Sequence, residues 1–332
     1  MVALTALTLG TVLFLSQDST TASASPLEHP AFHAYKARYG KNYASQSDAS
    51  YRRAVYAANM AYIRRENAKG RSHTLGETPF TDLTFEEFSA KYLMQTPLPN
   101  PKTNAILADT GALKCGNKDW RKEGVVSPVK NQGQCGSCWA FSAVGSLESA
   151  VAIKTGKITE FSEQELVDCS DDYGNAGCNG GLPSLAFDYV QDHQISLESD
   201  YVYTARDGSC KASKYKTKQA ITGYKTLKNP SVETLIAAIA EQPVSVGIEV
   251  QSDFMHYKSG IYKPADEDCG DSLNHGVVAV GYLVDNNDEK SYFIIKNSWS
   301  NTWGEEGYIR VAVGSGRGTC GIANKYDAYP QV

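Results

Sequence analysis

Eight cysteines constrain the fold of this 332-residue chain more than any other feature, and they are confined to its later part. The first is Cys115, so the preceding third of the chain has no residue that can form a disulfide. In an oxidising compartment, cysteines at loop positions are expected to pair. A metal site fits less well, because Cys135 and Cys138 have a two-residue gap but no second pair follows at zinc-finger spacing. We therefore predict a cross-linked carboxyl-terminal part and an amino-terminal part without cross-links.

The first 24 residues have the organisation of a secretory signal peptide. Residues 2–15 form an apolar run of 14 residues, which is too short to cross a bilayer comfortably. A polar stretch and the small residues Ala22, Ser23 and Ala24 follow. No Lys or Arg precedes the apolar run, which departs from the usual signal. We expect cleavage near Ala24 and a destination in the secretory pathway, either a lysosome or acidic vacuole or the extracellular space.

The distribution of charge divides the chain in two. The net charge is −5 and there is no arginine-rich run, which argues against nucleic-acid binding as a main role. Residues 25–109 contain 11 Lys and Arg against 8 Asp and Glu, a balance of +3, whereas residues 110–332 contain 21 against 28, a balance of −7. Parts of opposite charge attract each other, and protonation of carboxylates in acid would weaken that attraction. The alternative is two solvated surfaces of unrelated charge.

The amino-terminal part is rich in helix-forming residues up to about residue 93. Five residues recur at helical spacing on one face: Tyr56, Asn59, Met60, Ile63 and Asn67. A further helix is predicted over residues 84–92, where Thr84 and Glu87 form a capping box. Residues 96–104 contain three prolines and are predicted to be an exposed, extended linker that is open to proteolysis.

The rest of the chain changes from helices to strands as it proceeds. Helices are predicted over residues 137–155, 162–168, 183–191 and 230–241. Strands are predicted over residues 244–250, 276–282, 291–295 and 307–311. Helices followed by strands indicate an α+β protein built from two packed subdomains.

A potential nucleophile lies where a glycine-rich turn meets a predicted helix. The unpaired amides and the dipole at that position favour the thiolate form of Cys138. Three histidines lie downstream, His193, His256 and His275, and only the last begins an apolar strand that would hold its ring rigidly. Asn297 ends another apolar strand and has a side-chain oxygen that can orient an imidazole. Taken singly, these residues have simpler interpretations: half of a disulfide, a histidine in a strand and a turn residue.

The sequences around these three residues resemble those of the papain and cathepsin L family. Residues 131–142 contain Cys-Gly-Ser-Cys-Trp, the active-site signature of that family. Leu-Asn-His-Gly at residues 273–276 and Lys-Asn-Ser-Trp at residues 296–299 resemble its histidine and asparagine segments. His275 lies 137 residues after Cys138, within the usual spacing of about 130–150, and Asn297 lies 159 residues after it.

The amino-terminal part resembles the inhibitory propeptide of the same family. The interrupted Glu-Arg-Phe-Asn-Ile-Asn pattern is followed with Asp in place of Glu and Tyr in place of Phe, by Asp48, Arg52, Tyr56, Asn59, Ile63 and Asn67. Residues 76–82 resemble the second propeptide motif. The long first motif points to the cathepsin L-like branch. There is no candidate insertion for the loop that makes cathepsin B an exopeptidase.

The resemblance implies an α+β, papain-like fold with two lobes, preceded by a small helical propeptide domain. The left lobe would be helical and the right lobe β-barrel-like. The implied boundaries are residues 1–24 for the signal peptide, 25–112 for the inhibitory propeptide and 113–332 for the protease domain. The propeptide would run through the active-site cleft as an intramolecular inhibitor.

The resemblance also implies a role for individual residues. Cys138 would be the nucleophile, His275 the general base and acid, Asn297 the residue that holds the imidazole, and Gln132 the side-chain donor of the oxyanion hole. Trp299 would shield the bond between Asn297 and the imidazole. Residues that would contact substrate or shape its pocket are Gly180, Gly181, Leu182, Pro183, Gly247, Leu273, Asn274 and Trp299. The implied disulfides are Cys135–Cys178, Cys169–Cys210 and Cys269–Cys320.

Two positions depart from the family pattern. Cys115 replaces a residue that is commonly proline, and its partner is unknown. Residues 320–330 contain one residue more than expected before Tyr329 and Pro330. Lys325 is therefore expected at or near the base of the pocket for the second substrate residue before the cut. The alternative is that Lys325 points to solvent and that the pocket is simply apolar.

The implied function is that of a cysteine endopeptidase, made as an autoinhibited zymogen, which acts through an acyl-enzyme thioester without a metal or organic cofactor. Its partners would be protein and peptide substrates and its own propeptide, with no nucleic acid or membrane, and we expect a monomer. A catalytically silent relative that acts as a binding or inhibitory protein is the alternative. Such a relative is expected to lack Cys138, His275 or Gln132, and all three are present. An acyl or peptidyl transferase with the same chemistry is a further alternative, which an inhibitory propeptide disfavours.

Overall fold

The computed structural model describes residues 28–96, 116–216, 218–227, 229–265 and 269–332. The predicted signal peptide, Cys115 and all of the predicted linker except its first residue lie outside these ranges. The chain divides into two units, Met1–Asn42 and Tyr43–Val332. The described part of the first unit contains helix α1 (Glu28–Tyr39), in which the rings of Phe32 and Tyr35 stack with centroids 6.1 Å apart.

The second unit contains all of the other described elements. Its α-helices are α2 (Gln46–Asn67), α3 (Phe85–Tyr92), α4 (Cys138–Thr155), α5 (Glu163–Cys169), α6 (Pro183–His193), α7 (Val232–Glu241) and α8 (Ser252–Met255). Its strands are β1 (His73–Leu75), β2 (Gly116–Asp119), β3 (Ile195–Ser196), β4 (Lys218–Gln219), β5 (Gly223–Thr226), β6 (Val244–Ile248), β7 (Tyr257–Tyr262), β8 (His275–Val284), β9 (Tyr292–Lys296), β10 (Tyr308–Ala312) and β11 (Ala328–Gln331). The helices and strands predicted after residue 83 are all present, with ends within two residues of the prediction.

Nine strands form the larger sheet. Their order is β1-β7-β10-β9-β8-β6-β11-β5, and β2 pairs with β8. β7 and β10 are parallel, and the other neighbours are antiparallel. β3 and β4 form a separate two-stranded sheet. The α+β class is confirmed. Because no ladder between described residues joins β5 back to β1, the strand-rich lobe is an open sheet and not a closed barrel.

Helix α4 forms the centre of the helical lobe. It is buried from Cys138 to Ala152, where small and apolar residues predominate. Gly156 ends the helix in the left-handed conformation, with φ of +73°. One face of α4 packs on β8, where a Cβ atom on Gly276 would lie 3.1 Å from the Cα atom of Trp139. This close approach brings the start of α4 against the start of β8.

Residues 43–96, called here the amino-terminal segment, are held together by side chains of α2. The Nδ2 group of Asn59 donates to the carbonyl oxygens of Thr81 and Leu83 at 2.9 and 2.8 Å. The side chain of Asn67 donates to the carbonyl of Leu75 at 2.9 Å and accepts from its amide at 2.8 Å. The two asparagines of the helical-spacing pattern therefore bind the backbone that follows α2.

Helix α3 is fixed to α2 by its cap. Thr84 accepts a hydrogen bond from the amide of Glu87, whose carboxylate accepts from the amide of Thr84, so the predicted capping box is present. The same carboxylate accepts a hydrogen bond from Arg52 of α2 at 2.7 Å. The basic residue of the first propeptide-like motif thus links the two helices.

The amino-terminal segment docks on the edge of the larger sheet. β1 pairs with β7, with His73 opposite Gly260. The amide of Gly76 donates to the carbonyl of His256 at 2.8 Å, and the hydroxyl of Thr78 donates to the carbonyl of Met255 at 3.1 Å. Main-chain pairing at a sheet edge is a common mode of peptide recognition.

Three disulfides cross-link the part of the chain after the amino-terminal segment. They join Cys135 to Cys178, Cys169 to Cys210 and Cys269 to Cys320, the pairs that the family resemblance implies. Cys138 is the free thiol of the described residues. None of the described helices combines the length and apolar character that a membrane span requires.

Candidate active site

The free thiol lies at the first residue of α4, next to a cross-linked turn. Cys138 is fully buried. The turn before it is closed by the Cys135–Cys178 disulfide and by a hydrogen bond of 2.8 Å from the amide of Gly136 to the carbonyl of Cys178. A Cβ atom at position 136 would lie 2.5 Å from that carbonyl oxygen and 2.8 Å from the carbonyl oxygen of Leu93. Only glycine allows this approach.

The imidazole of His275 is held by Asn297. His275 is the first residue of β8, and Asn297 follows the neighbouring strand β9. The Nε2 group of His275 donates to Oδ1 of Asn297 at 2.8 Å, and the amide of Ser298 donates to the same oxygen at 2.8 Å. The ring of Trp299 stacks on the imidazole with centroids 4.6 Å apart. Because Nε2 carries the proton, Nδ1 is the nitrogen that remains to accept one.

The amide of Gln132 is fixed at both ends. Its oxygen accepts hydrogen bonds from the hydroxyl of Ser298 at 2.6 Å and from the indole of Trp299 at 3.1 Å. Its nitrogen donates to the carbonyl of Cys135 at 2.9 Å and to that of Tyr92 in the amino-terminal segment at 2.8 Å. One N–H of Gln132 therefore points at a position that a peptide carbonyl already occupies.

Burial holds the thiol and the imidazole in their neutral forms. It raises the pKa of Cys138 to about 12, against backbone N–H groups that lower it. It also lowers the pKa of His275 to about 4, although the bond to Asn297 opposes that effect. With the amino-terminal segment in place, neither group is charged at neutral pH.

The end of the amino-terminal segment passes along the site and binds its backbone. The amide of Met94 donates to the carbonyl of Asn274 at 2.9 Å. The amides of Gln95 and Thr96 donate to the carbonyl of Asn179 at 2.9 and 3.2 Å. A Cβ atom on Gly180 would lie 2.9 Å from the hydroxyl of Thr96. The backbone at Asn179 and Gly180 therefore has the shape and the acceptor that an extended peptide needs.

The apolar residues expected near the substrate lie in two groups. Leu182 and Pro183 are buried at the start of α6, and Gly181 precedes them, where a Cβ atom would contact the ring of Trp139 at 2.8 Å. Gly247 of β6 faces Leu273, whose Cδ1 atom would lie 3.1 Å from a Cβ atom at position 247.

Lys325 lies at the surface, as in the alternative in which it points to solvent, and its place relative to the substrate pocket stays a prediction. Its side chain is exposed, and its ammonium group lies 5.0 Å from the centre of the Tyr326 ring. Asn324 is the buried residue beside Gly247 and donates to the Gly247 carbonyl at 3.0 Å. The buried carboxylate of Asp327 accepts from the amide of Asn324 at 2.9 Å and holds this turn. At this turn the lysine therefore faces outward and the amide side chain of Asn324 faces inward.

The sequence analysis did not identify two sets of residues at the site. One is Ser298, whose hydroxyl orients Gln132. The other is the group of aromatic residues Phe80, Phe88 and Tyr92 of the amino-terminal segment. The rings of Phe80 and Phe88 meet that of Trp299 edge-on at 5.5 and 5.1 Å. The spacing of Phe88 and Tyr92 on one face of α3 was the available signal.

Two families match the chain. Residues 115–329 match the family described as "Papain family cysteine protease". Residues 32–88 match the family described as "Cathepsin propeptide inhibitor domain (I29)". The first match spans more than half of the chain and includes Cys138, His275 and Asn297.

Several proteins are similar to this chain over most of its length. "Cysteine proteinase 3" of Solanum lycopersicum is 42% identical over 303 residues, which cover 88% of this chain and 82% of the relative. "Cathepsin L-like proteinase" of Fasciola hepatica is 40% identical over 305 residues, which cover 88% of this chain and 90% of the relative. The solved structure of digestive procathepsin L 3 from the larval midgut of Tenebrio molitor has a TM-score of 0.82 and 35% identity, covering 93% of this chain and 100% of that chain.

Proposed function

Because the chain belongs to the papain family of cysteine proteases and carries a cathepsin-type propeptide inhibitor domain, we propose that it is an endopeptidase with Cys138 as nucleophile and His275 as base. The observation that carries this proposal is the hydrogen bond from His275 Nε2 to Asn297. It leaves Nδ1 to receive the proton of the thiol at the start of α4. A thiolate at a helix N-terminus is stabilised by the helix dipole and by unpaired amides.

Release of the amino-terminal segment would activate this pair. The segment would contribute to the burial that keeps the thiol and the imidazole neutral. Once it leaves, the proton of Sγ can move to Nδ1, and water and the helix dipole stabilise the resulting thiolate and imidazolium. We propose the domain boundaries 1–24 for the signal peptide, 25–112 for the inhibitory propeptide and 113–332 for the protease domain, with cleavage in the proline-containing linker.

Acylation would begin when the Cys138 thiolate attacks the carbonyl carbon of the substrate. The oxygen becomes negatively charged, and Gln132 Nε2–H and the Cys138 amide would donate to it. The Tyr92 carbonyl occupies the position that the Gln132 amide group offers to this oxygen. As the C–N bond breaks, the His275 imidazolium protonates the leaving amine, and a thioester remains.

Deacylation would use the same histidine in the reverse sense. Neutral His275 removes a proton from a water molecule, whose oxygen attacks the thioester carbon. When the C–S bond breaks, the acid product leaves and the thiolate–imidazolium pair is restored. Asn297 keeps the imidazole in place through both steps, and Trp299 shields their hydrogen bond from water.

Substrate would replace the end of the amino-terminal segment on the same backbone groups. The carbonyls of Asn179 and Asn274 accept hydrogen bonds from that segment and would accept them from an extended substrate. Gly180 and Gly181 would leave room for the substrate backbone. Residues proposed as the apolar walls of the adjacent pocket are Leu182, Pro183, Gly247 and Leu273.

The disulfides support a secretory destination, because they persist in oxidising compartments. We propose a lysosome or acidic vacuole, or the extracellular space, and a monomer that acts on proteins and peptides. The test is acid activation of the purified precursor, followed by cleavage of an apolar dipeptidyl reporter. Activity that a thiol-directed epoxide abolishes, and that Cys138→Ala lacks, supports the proposal. Undiminished turnover by a folded Cys138→Ala variant would overturn it.

A further inference from the structure

Two buried polar atoms without hydrogen-bond partners belong to residues that line one cavity behind the site. They are Nδ2 of Asn297 and Oε2 of Glu163, and neither has a partner among the described residues. Both residues line a cavity with about 20 Å³ of room for water, and Lys130 and Lys296 line it as well. One of the atoms can only donate and the other is the free oxygen of a carboxyl group.

The cavity is large enough for a single water molecule. A buried water needs about 10–15 Å³ of such space and 2–4 polar partners. The Asn297 amide can donate to the oxygen of this water molecule, and the water can donate a hydrogen bond to Glu163. The ammonium groups of Lys130 and Lys296 supply further donors in the same lining. Leaving both orphan atoms unpaired would be costly, because buried polar groups are nearly always hydrogen-bonded.

Glu163 is rigidly placed for this role. It is the first residue of α5 and is 1% exposed. Its Oε1 accepts from Nζ of Lys130 at 2.8 Å, and the same ammonium donates to Glu148 at 2.6 Å. One oxygen is therefore occupied by the Lys130 ammonium group. The other has no partner among the described residues.

We propose that a buried water bridges Glu163 Oε2 to Asn297 Nδ2, so that Glu163 is a positioning residue for the His275–Asn297 pair. The bridge gives the Asn297 side-chain nitrogen an acceptor, while the backbone amide of Ser298 donates to the Asn297 side-chain oxygen. Both favour the one orientation in which Oδ1 faces His275. This inference rests on the proposed role of Asn297 in catalysis.

The direct test is a high-resolution crystal structure of the full-length precursor. We expect one ordered water within about 3 Å of both Asn297 Nδ2 and Glu163 Oε2. An empty cavity, or a water that contacts only one of the two atoms, would overturn the proposal. This measurement does not depend on activity, so it fails or succeeds separately from the proposed function. If the crystal structure lacks the bridging water and the Cys138→Ala variant is inactive, the inference alone is rejected and the proposed function stands.

The kinetic test compares substitutions on one helix. Glu163→Met keeps the size of the side chain and removes the acceptor, so kcat of the activated enzyme should fall about 2- to 10-fold at unchanged KM. Glu163→Gln can keep an oxygen at the same place and should stay within about 2-fold of the wild type.

The matched control is Glu165→Met. Glu165 is equally buried on α5 but binds Tyr189, Ser196 and Lys218, away from the cavity. It should lose thermal stability with unchanged kcat. Equal falls of kcat in Glu163→Met and Glu165→Met, or no fall in the first, would overturn the proposal. If Glu163→Met does not fold, the crystal structure decides.

Discussion

Truncation of Phe88 tests how tightly the amino-terminal segment is held over the site. Phe88 is fully buried on α3. Its ring meets Trp299 edge-on at 5.1 Å and stacks on Tyr92 at 5.2 Å, and Phe80 lies 5.0 Å away. One side chain thus joins the core of the segment to the indole that stacks on His275. Phe88→Ala should therefore loosen the inhibited state.

The size of the effect depends on what the segment does after release. Replacement of a buried Phe by Ala costs about 3–5 kcal/mol. If the released segment unfolds, all of this cost falls on docking, which weakens by about 10²- to 10⁴-fold. If the segment stays folded, its contacts with Phe80 and Tyr92 persist and only the packing on Trp299 is lost. That loss weakens docking by about 10-fold.

The assay is alkylation of Cys138 in the full-length precursor at neutral pH, with the labelled peptide identified by mass spectrometry. The thiol is fully buried, so labelling reports opening. Phe88→Ala should label about 10- to 10⁴-fold faster than the wild type. The control is Glu86→Ala, an exposed position on the same helix, which should label at the wild-type rate. Labelling of Phe88→Ala at the wild-type rate, or equal acceleration in the control, would refute the reasoning.

Three further predictions concern the site and its release. Gln132→Ala should lower kcat by about 10²- to 10³-fold, and a change confined to KM would contradict its role as an oxyanion donor. His73 is docked with a pKa lowered to about 4 by burial, whereas a free imidazole titrates near 6.5, so docking should weaken as the pH falls from about 6.5 towards 4. His73→Phe should therefore process more slowly in acid, and processing at the wild-type rate would contradict this. Because Lys325 is exposed, Lys325→Ala should leave the ratios of kcat/KM for Leu, Phe and Glu reporters unchanged. A shift of the kcat/KM ratios in favour of the Leu and Phe reporters would mean that Lys325 lines the pocket.

The long elements could be predicted because each carries a strong local pattern. α4 is rich in small and apolar residues and follows a glycine-rich turn, and β8 and β9 are mainly apolar runs. Their ends bring Cys138, His275 and Asn297 into one region. The motifs around those residues predict one site there.

The missed elements depend on partners that are distant in sequence. β1 has three residues and forms against β7, which itself contains Gly260 in the left-handed region, with φ of +96°. Neither has an alternating pattern long enough to be read locally. The orientation of the turn at Asn324 and Lys325 could not be predicted for a related reason. The carboxylate of Asp327, which accepts from the amide of Asn324, is revealed only by the fold.

The most direct test of the account is the pH dependence of Cys138 alkylation in the activated enzyme. The account holds that release of the amino-terminal segment converts a neutral thiol and imidazole into an ion pair. The rate, followed on the Cys138 peptide, should then stay high well below the ordinary thiol pKa of about 8.5 and fall only in acid. A single titration near 8.5, with low reactivity at neutral pH, would contradict the account, because it would mean that Cys138 gains no proton acceptor when the segment leaves.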